Sequence, residues 1–449
     1  MTGAWIPNPE PFPSAPPDRW PTPPPFPPPP PGPSPGRGRG GAVAILAVAL
    51  AFAVLVVGAI GWAVRRDDSR PDVATSTSSS TTSTTGPSSP SSSTTEAPPT
   101  TAPQSLEEAL GDLIAFVEAE RGHRFKERPR VEAIDPAVFD AKLRADLDRR
   151  RSELATEQVT LRALGQIEPG TDLVEVYRSL LEAGVVGFYD PETKELFVQG
   201  TTVTAYRRAV IVHELTHALD DQYFDLGRTT AFDRRSDESG FGFLSIVEGS
   251  AKRVENAYRR SLSATDRAAL AAEEAQLATG VNPFDLPIAV QLRQALPYLS
   301  GERLVQEVID ARGIGALDRA FGDPPTTSEQ VLDPSVFRAR ERALPVTTPS
   351  ADGPVVDSGA FGVVDVQLTL LGTDPLGALD AFEPIDGWGG GRFVAWNDGG
   401  GRSCVRFRLV GDTPADTAAL GNQLSDWAGR RGAELGRAGG GELEVTRCA

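Results

Sequence analysis

Ala209-Val210-Ile211-Val212-His213-Glu214-Leu215-Thr216-His217-Ala218-Leu219 decides how this chain folds and what its centre can do. The stretch has no glycine or proline and is apolar nearly all round, as expected of a helix running through the middle of a domain. His213 and His217 stand four residues apart, so a helix puts both imidazoles on one face, a turn apart. Two neutral ring nitrogens so placed can close on one Zn²⁺, while Glu214, directly after the first histidine, can polarise a water at the metal. Such a five-residue pattern arises by chance on the order of once per hundred chains of this length. Here it takes two of only three histidines in 449 residues. An ionisable trio with no role would be costly on so apolar a helix.

A catalytic zinc usually takes three protein ligands and leaves one position to water. No other histidine is near, so the third ligand is expected to be a carboxylate. Glu248 is the choice, in Ser245-Ile246-Val247-Glu248-Gly249-Ser250-Ala251 on a second helix running to about Tyr258. Gly249 and Ala251 are expected to let that helix approach the first. Asp221, Glu238 and Glu255 compete for the role. Asp221, one turn beyond His217, suits an outer position accepting an imidazole N–H. Glu238 and Glu255 read as solvated surface carboxylates. The remaining histidine, His123, lies in the basic run Arg121-Gly122-His123-Arg124-Phe125 and reads as a surface residue.

Upstream, composition changes sharply. Residues 1–40 are dominated by proline, which cannot build a core and predicts a solvated polyproline-type tail. Residues 41–64 are uncharged and rich in Ala, Val and Leu; as a helix they would reach about 36 Å, enough for a bilayer core of about 30 Å. They predict a transmembrane anchor. Residues 65–103 carry Ser, Thr and Pro and read as a stalk. Arginines on the two sides of the span do not orient it. The stalk, with Cys404 and Cys448 as an even pair, places the N-terminus in the cytoplasm and the rest outside, with those cysteines bridged. Net charge is −17 and the folded part has no basic cluster, which disfavours nucleic acid.

The folded part is read as a domain over 104–349 and a small α+β unit over 350–449. Helices are expected at Ser105 to Glu120, Pro136 to about Leu164, Ala264 to Leu277, Pro287 to Leu296, Gly359 to Leu371 and Pro414 to Arg430. Strands are expected at Arg130 to Ile134, Val185 to Tyr189, Glu195 to Val198, Arg392 to Trp396, Cys404 to Leu409 and Glu442 to Thr446. The two runs around Asp190-Pro191-Glu192-Thr193-Lys194 form a hairpin just before the histidine helix, and 324–334 reads as a loop with a short turn.

His213 to Leu219 with Asp221-Gln222 and Phe224-Asp225-Leu226 resembles the active-site helix of bacterial zinc metallopeptidases of the gluzincin type. Gly187-Phe188-Tyr189-Asp190-Pro191, Val247-Glu248-Gly249, the run Pro324 to Leu332 and Gly387-Trp388-Gly389-Gly390 extend the resemblance over about residues 185–390. Arginine over lysine, with abundant Ala, Gly and Pro, is similar to proteins of GC-rich genomes such as those of actinobacteria. The resemblance implies an α+β, zincin-like domain in which His213, His217 and Glu248 bind zinc and Glu214 is the base. Asp220, Ser250, Asp333 and Gly391 depart from its pattern, which has an amide, an acid, a histidine and an acid there. The expectation is therefore a membrane-anchored, extracellular zinc peptidase with a peptide or protein substrate, the membrane and no nucleic acid as partners. A non-catalytic zinc- or peptide-binding envelope module and a cell-wall peptide amidase are the alternatives. Tyr298 and Tyr258 are candidate donors to a developing oxyanion.

Overall fold

Helical spacing and strand alternation after Ser105 resolve into an α+β structure. The computed structural model describes residues 104–182, 185–229, 232, 236–280, 282–373 and 385–449. The expected tail, span and stalk over 1–103 lie outside the described residues.

Chain order begins with β1 (Gln104–Ser105), α1 (Leu106–Arg121), β2 (Arg130–Ile134), α2 (Pro136–Arg149), α3 (Arg151–Leu164) and α4 (Leu173–Glu182). Then come β3 (Gly187–Asp190), β4 (Glu195–Gln199), β5 (Thr202–Val203), α5 (Ala205–Phe224), α6 (Asp237–Ser261), α7 (Ala264–Ala278) and α8 (Ile288–Arg312). Short helices α9 (Gly315–Gly322), α10 (Ser328–Leu332) and α11 (Pro334–Ala339) follow. The chain closes with β6 (Val355–Ala360), α12 (Val363–Leu371), β7 (Trp388–Asn397), β8 (Ser403–Gly411), α13 (Pro414–Arg431), β9 (Glu434–Arg437) and β10 (Leu443–Cys448).

Several boundaries differ from the sequence reading for local reasons. The helix expected from Pro136 to Leu164 is two, α2 and α3, which meet at Arg150. The helix expected from Pro287 to Leu296 continues through Pro297 to Arg312, because burial of both halves outweighs the lost N–H. Gly359 and Ala360 end strand β6 instead of opening α12; Gly362 caps that helix, its N–H donating to Asp365. The segment 324–334 holds a helical turn, α10, capped by Thr327.

Strands β2, β4 and β3 form a sheet in that order, β2 parallel and β3 antiparallel to β4, so β3 is an edge strand. A five-stranded antiparallel sheet runs β6-β7-β8-β10-β9. Its core joins Phe361, Trp388, Phe407 and Leu409 to Leu420, Leu424 and Trp427 of α13 and to Ala163 and Leu164 of α3. Cys404 and Cys448, directly opposite on β8 and β10, are disulfide-bonded. The bridge sits with Val394 and Trp396 in a separate small cluster.

The central layer is α5. Thr204 caps it by accepting from the Arg207 N–H at 3.2 Å, and every residue from Arg208 to Asp221 is buried. Its apolar side chains pack with Leu110, Leu113 and Val117 of α1, Leu196 and Val198 of β4, and Val254 of α6. Helix α6 lies between α5 and α8. A Cβ on Gly249 would stand 2.2 Å from the Gly301 carbonyl oxygen of α8, and one on Gly301 would stand 2.2 Å from that of Ser245. Gly249 was expected to ease the approach to α5; it serves the α6–α8 contact instead, while Ser250 beside it bonds to Asp220 of α5.

Candidate metal centre

The α5 and α6 backbones bring His213, His217 and Glu248 together, and all three are fully buried. One ligand atom from each lies within 4.8 Å of the other two. His213 Nε2 is 3.3 Å and His217 Nε2 3.5 Å from the same oxygen, Glu248 Oε2. Donors about 2.0–2.1 Å from one tetrahedral zinc stand about 3.3–3.4 Å apart, so these spacings suit the ion. Among the described residues neither His217 ring nitrogen finds a hydrogen-bond partner, and the same is true of Glu248 Oε1. Buried polar atoms left in this way are expensive unless a cation takes them. Burial pulls the His217 imidazole down to about 4, so it is neutral with a lone pair to give. Burial raises the Glu248 carboxyl, against the contact with His213. The donor set fits zinc.

Glu214 is fully buried on the same helix. Its Oε2 accepts from the Tyr189 N–H of edge strand β3 at 2.9 Å, while Oε1 has no partner. Burial, then the Glu248 charge, raises its carboxyl well above the usual range, and the Tyr189 N–H opposes them. One oxygen is thus anchored and the other is open to a proton.

Asp221 does not reach an imidazole. It accepts from Tyr189 Oη at 2.5 Å, Lys194 Nζ at 2.7 Å and the Leu226 N–H at 2.7 Å, tying the hairpin to the end of α5. The outer carboxylate is Glu255, expected at the surface and instead fully buried, with Oε2 3.2 Å from His213 Nδ1. The signal that could have found it is spacing: Glu248 and Glu255 are seven apart, two helical turns, and share a face. Tyr298 stacks on His213 with ring centroids 5.9 Å apart, and its hydroxyl bonds to Glu248. Tyr258 is elsewhere, edge-on to Phe116. His123 stacks on Tyr223 and pairs with Asp318 at 3.0 Å, outside the donor set.

Two departures from the resemblance explain each other. Ser250 Oγ donates to Asp220 Oδ2 at 2.6 Å, and the other Asp220 oxygen takes Arg121 Nε at 2.6 Å. Asp333 caps α11 by accepting from the Ser335 N–H at 2.7 Å, and a Cβ at Gly391 would meet the Phe361 carbonyl oxygen at 2.3 Å.

Glu238 was also expected to be solvated and is buried, accepting from the Ser328 N–H at 2.6 Å and Oγ at 2.8 Å. Burial, then the Asp365 charge, pushes its carboxyl up to about 8 from an ordinary 4.5. The folded chain therefore holds this proton over a range where the unfolded chain has lost it. Its contribution to stability is full below about pH 4.5 and disappears as pH rises through about 8. Urea unfolding at pH 5 and pH 8 should show wild type losing stability relative to Glu238→Gln, by something on the order of a few kcal/mol. Equal losses in the two chains would remove Glu238 as the proton-linked group.

The fold and site define an α+β protein with a buried histidine and carboxylate centre of zinc-binding composition. No family model matches the chain, and no solved structure matches it. It is similar to the protein named glycine--tRNA ligase beta subunit from Anaeromyxobacter sp. (strain K), 29% identical over 279 residues, which is 59% of this chain and 35% of that protein. The same identity and coverage hold for the subunit from Anaeromyxobacter dehalogenans (strain 2CP-1 / ATCC BAA-258). The chain thus matches about a third of the length of these curated relatives.

These relatives correct part of the sequence reading. They are enzymes by name, in agreement with the expectation of an enzyme, but they are named for tRNA ligation and not for hydrolysis of peptides. The expected function as a membrane-anchored extracellular peptidase, its envelope-module and amidase alternatives, and the partner set of peptide, membrane and no nucleic acid are withdrawn on that finding. The physical reason is that a metal-ligand motif specifies first contacts to an ion, whereas substrate and partner are chosen by surfaces that the motif does not encode. Among the described residues no helix is long and apolar enough to cross a membrane, and the expected span at 41–64 lies outside them.

Proposed function

We propose that the chain is a zinc-dependent hydrolytic enzyme of zincin-like fold, with His213, His217 and Glu248 as ligands and Glu214 as general base. The observation that carries this reading is the convergence of three buried donor atoms within 4.8 Å, two of the side chains carrying atoms with no other partner. Zinc held there supplies a Lewis acid that makes water more acidic and draws density from a carbonyl oxygen. Glu214 keeps Oε2 on the Tyr189 N–H, takes the proton of the attacking water at Oε1 and returns it to the leaving group. The edge position of β3 supports the reading, because it sets the anchor of Glu214 at the sheet margin. The Cys404–Cys448 bridge supports a folded part that resides in an oxidising compartment outside the cytoplasm.

Glu214→Gln keeps the side-chain shape and every proposed ligand but removes the base. Metal analysis of the full-length chain should find zinc retained, while hydrolysis of an ester, chosen from a panel for chelator-sensitive turnover by wild type, falls about 10²–10⁴-fold. Undiminished turnover would remove Glu214 from the chemistry.

The named relatives supply a second reading, participation in glycine–tRNA ligation, favoured by the 279-residue similarity. It predicts saturable binding of tRNA that weakens steeply with salt. Filter binding decides it; retention no greater than that of an unrelated acidic protein at low salt rejects it.

A further inference from the structure

We propose that Glu255 is a positioning residue that fixes the ring orientation and tautomer of His213, so that the affinity of the centre for zinc is set by a chain of charges lying outside the ligands. The proposal rests on the zinc reading above and deepens it.

His213 is held between two carboxylates of one helix face. Its Nε2 faces Glu248 Oε2 at 3.3 Å, the oxygen also approached by His217, and its Nδ1 faces Glu255 Oε2 at 3.2 Å. The three proposed ligand atoms therefore meet on the Nε2 side, and Glu255 lies behind the ring. A carboxylate can only accept, so Glu255 requires Nδ1 to carry the hydrogen and leaves the Nε2 lone pair for the metal.

Glu255 differs from Glu248 and Glu214 in being matched by cations of its own. Lys252 Nζ lies 3.1 Å from each of its oxygens, and Arg259 Nε donates to Oε1 at 2.6 Å. Glu255 needs no metal to balance its charge. Arg259 turns its second arm to Glu274 of α7 at 2.5 Å, where the side chains are 20% and 13% exposed. A line of alternating charge thus runs from the partly exposed α7 face to a fully buried imidazole. Among the described residues His217 has no counterpart, since its Nδ1 finds no hydrogen-bond partner there. His213 is the proposed ligand whose far nitrogen is held by a hydrogen bond before metal arrives; His217 has only the 3.5 Å approach of its Nε2 to Glu248 and the packing around its ring.

The test uses the metal-free full-length chain labelled with ¹⁵N-histidine, which gives only three imidazoles to resolve. Wild type should show His213 as the Nδ1–H tautomer. Glu255→Ala should convert it to a mixture and weaken zinc about 10–100-fold in competition with a chelator. Glu255→Gln guards against misfolding of the alanine variant; its amide oxygen can still accept, so the tautomer should persist while zinc affinity falls by less. A role only in neutralising Lys252 and Arg259 would lower the melting temperature in both variants and leave the tautomer unmoved. Wild-type tautomer in Glu255→Ala, or an Nε2–H tautomer in Glu255→Gln with wild-type affinity, overturns the proposal. A wild-type chain that takes up no zinc sinks the zinc reading and the affinity half of this one, and the tautomer then decides whether Glu255 orients His213.

Discussion

Replacing His213 or His217 by alanine is expected to abolish stoichiometric zinc binding by the full-length chain, where wild type is expected to take up one ion. Either change leaves two of the three proposed ligands, one of them the buried carboxylate of Glu248. Zinc in excess should also raise the melting temperature of wild type, because only the folded chain presents the assembled site; at a hundredfold excess over Kd the gain is about 2.7 kcal/mol. That increment should be absent from both alanine variants. Full zinc occupancy in either one, measured after gel filtration, would dissolve the proposed centre.

Gly249→Ala and Gly301→Ala are each expected to destabilise the metal-free chain by about 1–3 kcal/mol or more, although alanine is the better helix former by about 0.5–1 kcal/mol. The new Cβ would stand 2.2 Å from a carbonyl oxygen of the facing helix in each case. Backbone atoms cannot turn away as a side chain can, so α6 and α8 must separate. Glu248 is the neighbour of Gly249, and that separation moves it relative to His213 and His217; zinc affinity should fall together with stability. Gly429→Ala is the control, on an open face of α13 with nothing within 4 Å of its Cβ, and should be neutral or slightly stabilising. Equal unfolding midpoints for Gly249→Ala and Gly429→Ala in urea would show that the close approach does not matter.

The parts legible in the sequence were those with a local period or a local chemistry. The His213 and His217 spacing, the apolar wrap of α5, the hairpin around Asp190 to Lys194 and the β7 and β8 runs all follow from side-chain repeats of 3.6 or 2. The cysteine pair is expected from its even count together with the expected location outside the cytoplasm, and it is bonded across β8 and β10. What failed locally were the joints: the α2–α3 break at Arg150 and the passage of α8 through Pro297 depend on what the flanking turns bury, and no window of residues contains that information.

Carboxylates show the division most clearly. Asp221, Glu238, Glu248 and Glu255 are the same kind of group in sequence, and surface preference argues for solvation of any of them. The fold buries all four and puts each to a different use. Asp221 fastens the hairpin, Glu238 anchors α10, Glu248 faces both histidines, and Glu255 stands behind one of them. By itself the sequence determined that two imidazoles share one face of a buried helix with a carboxylate next to the first of them, because helical geometry is a local property of consecutive residues. The sequence favoured Glu248 among the carboxylates, but only the tertiary structure decided that it faces both histidines while Glu255 stands behind one of them. That choice depends on the approach of α6 to α5 and α8, set through Ser250 and through the missing Cβ atoms of Gly249 and Gly301, and separations across helices are fixed by packing and not by chain order.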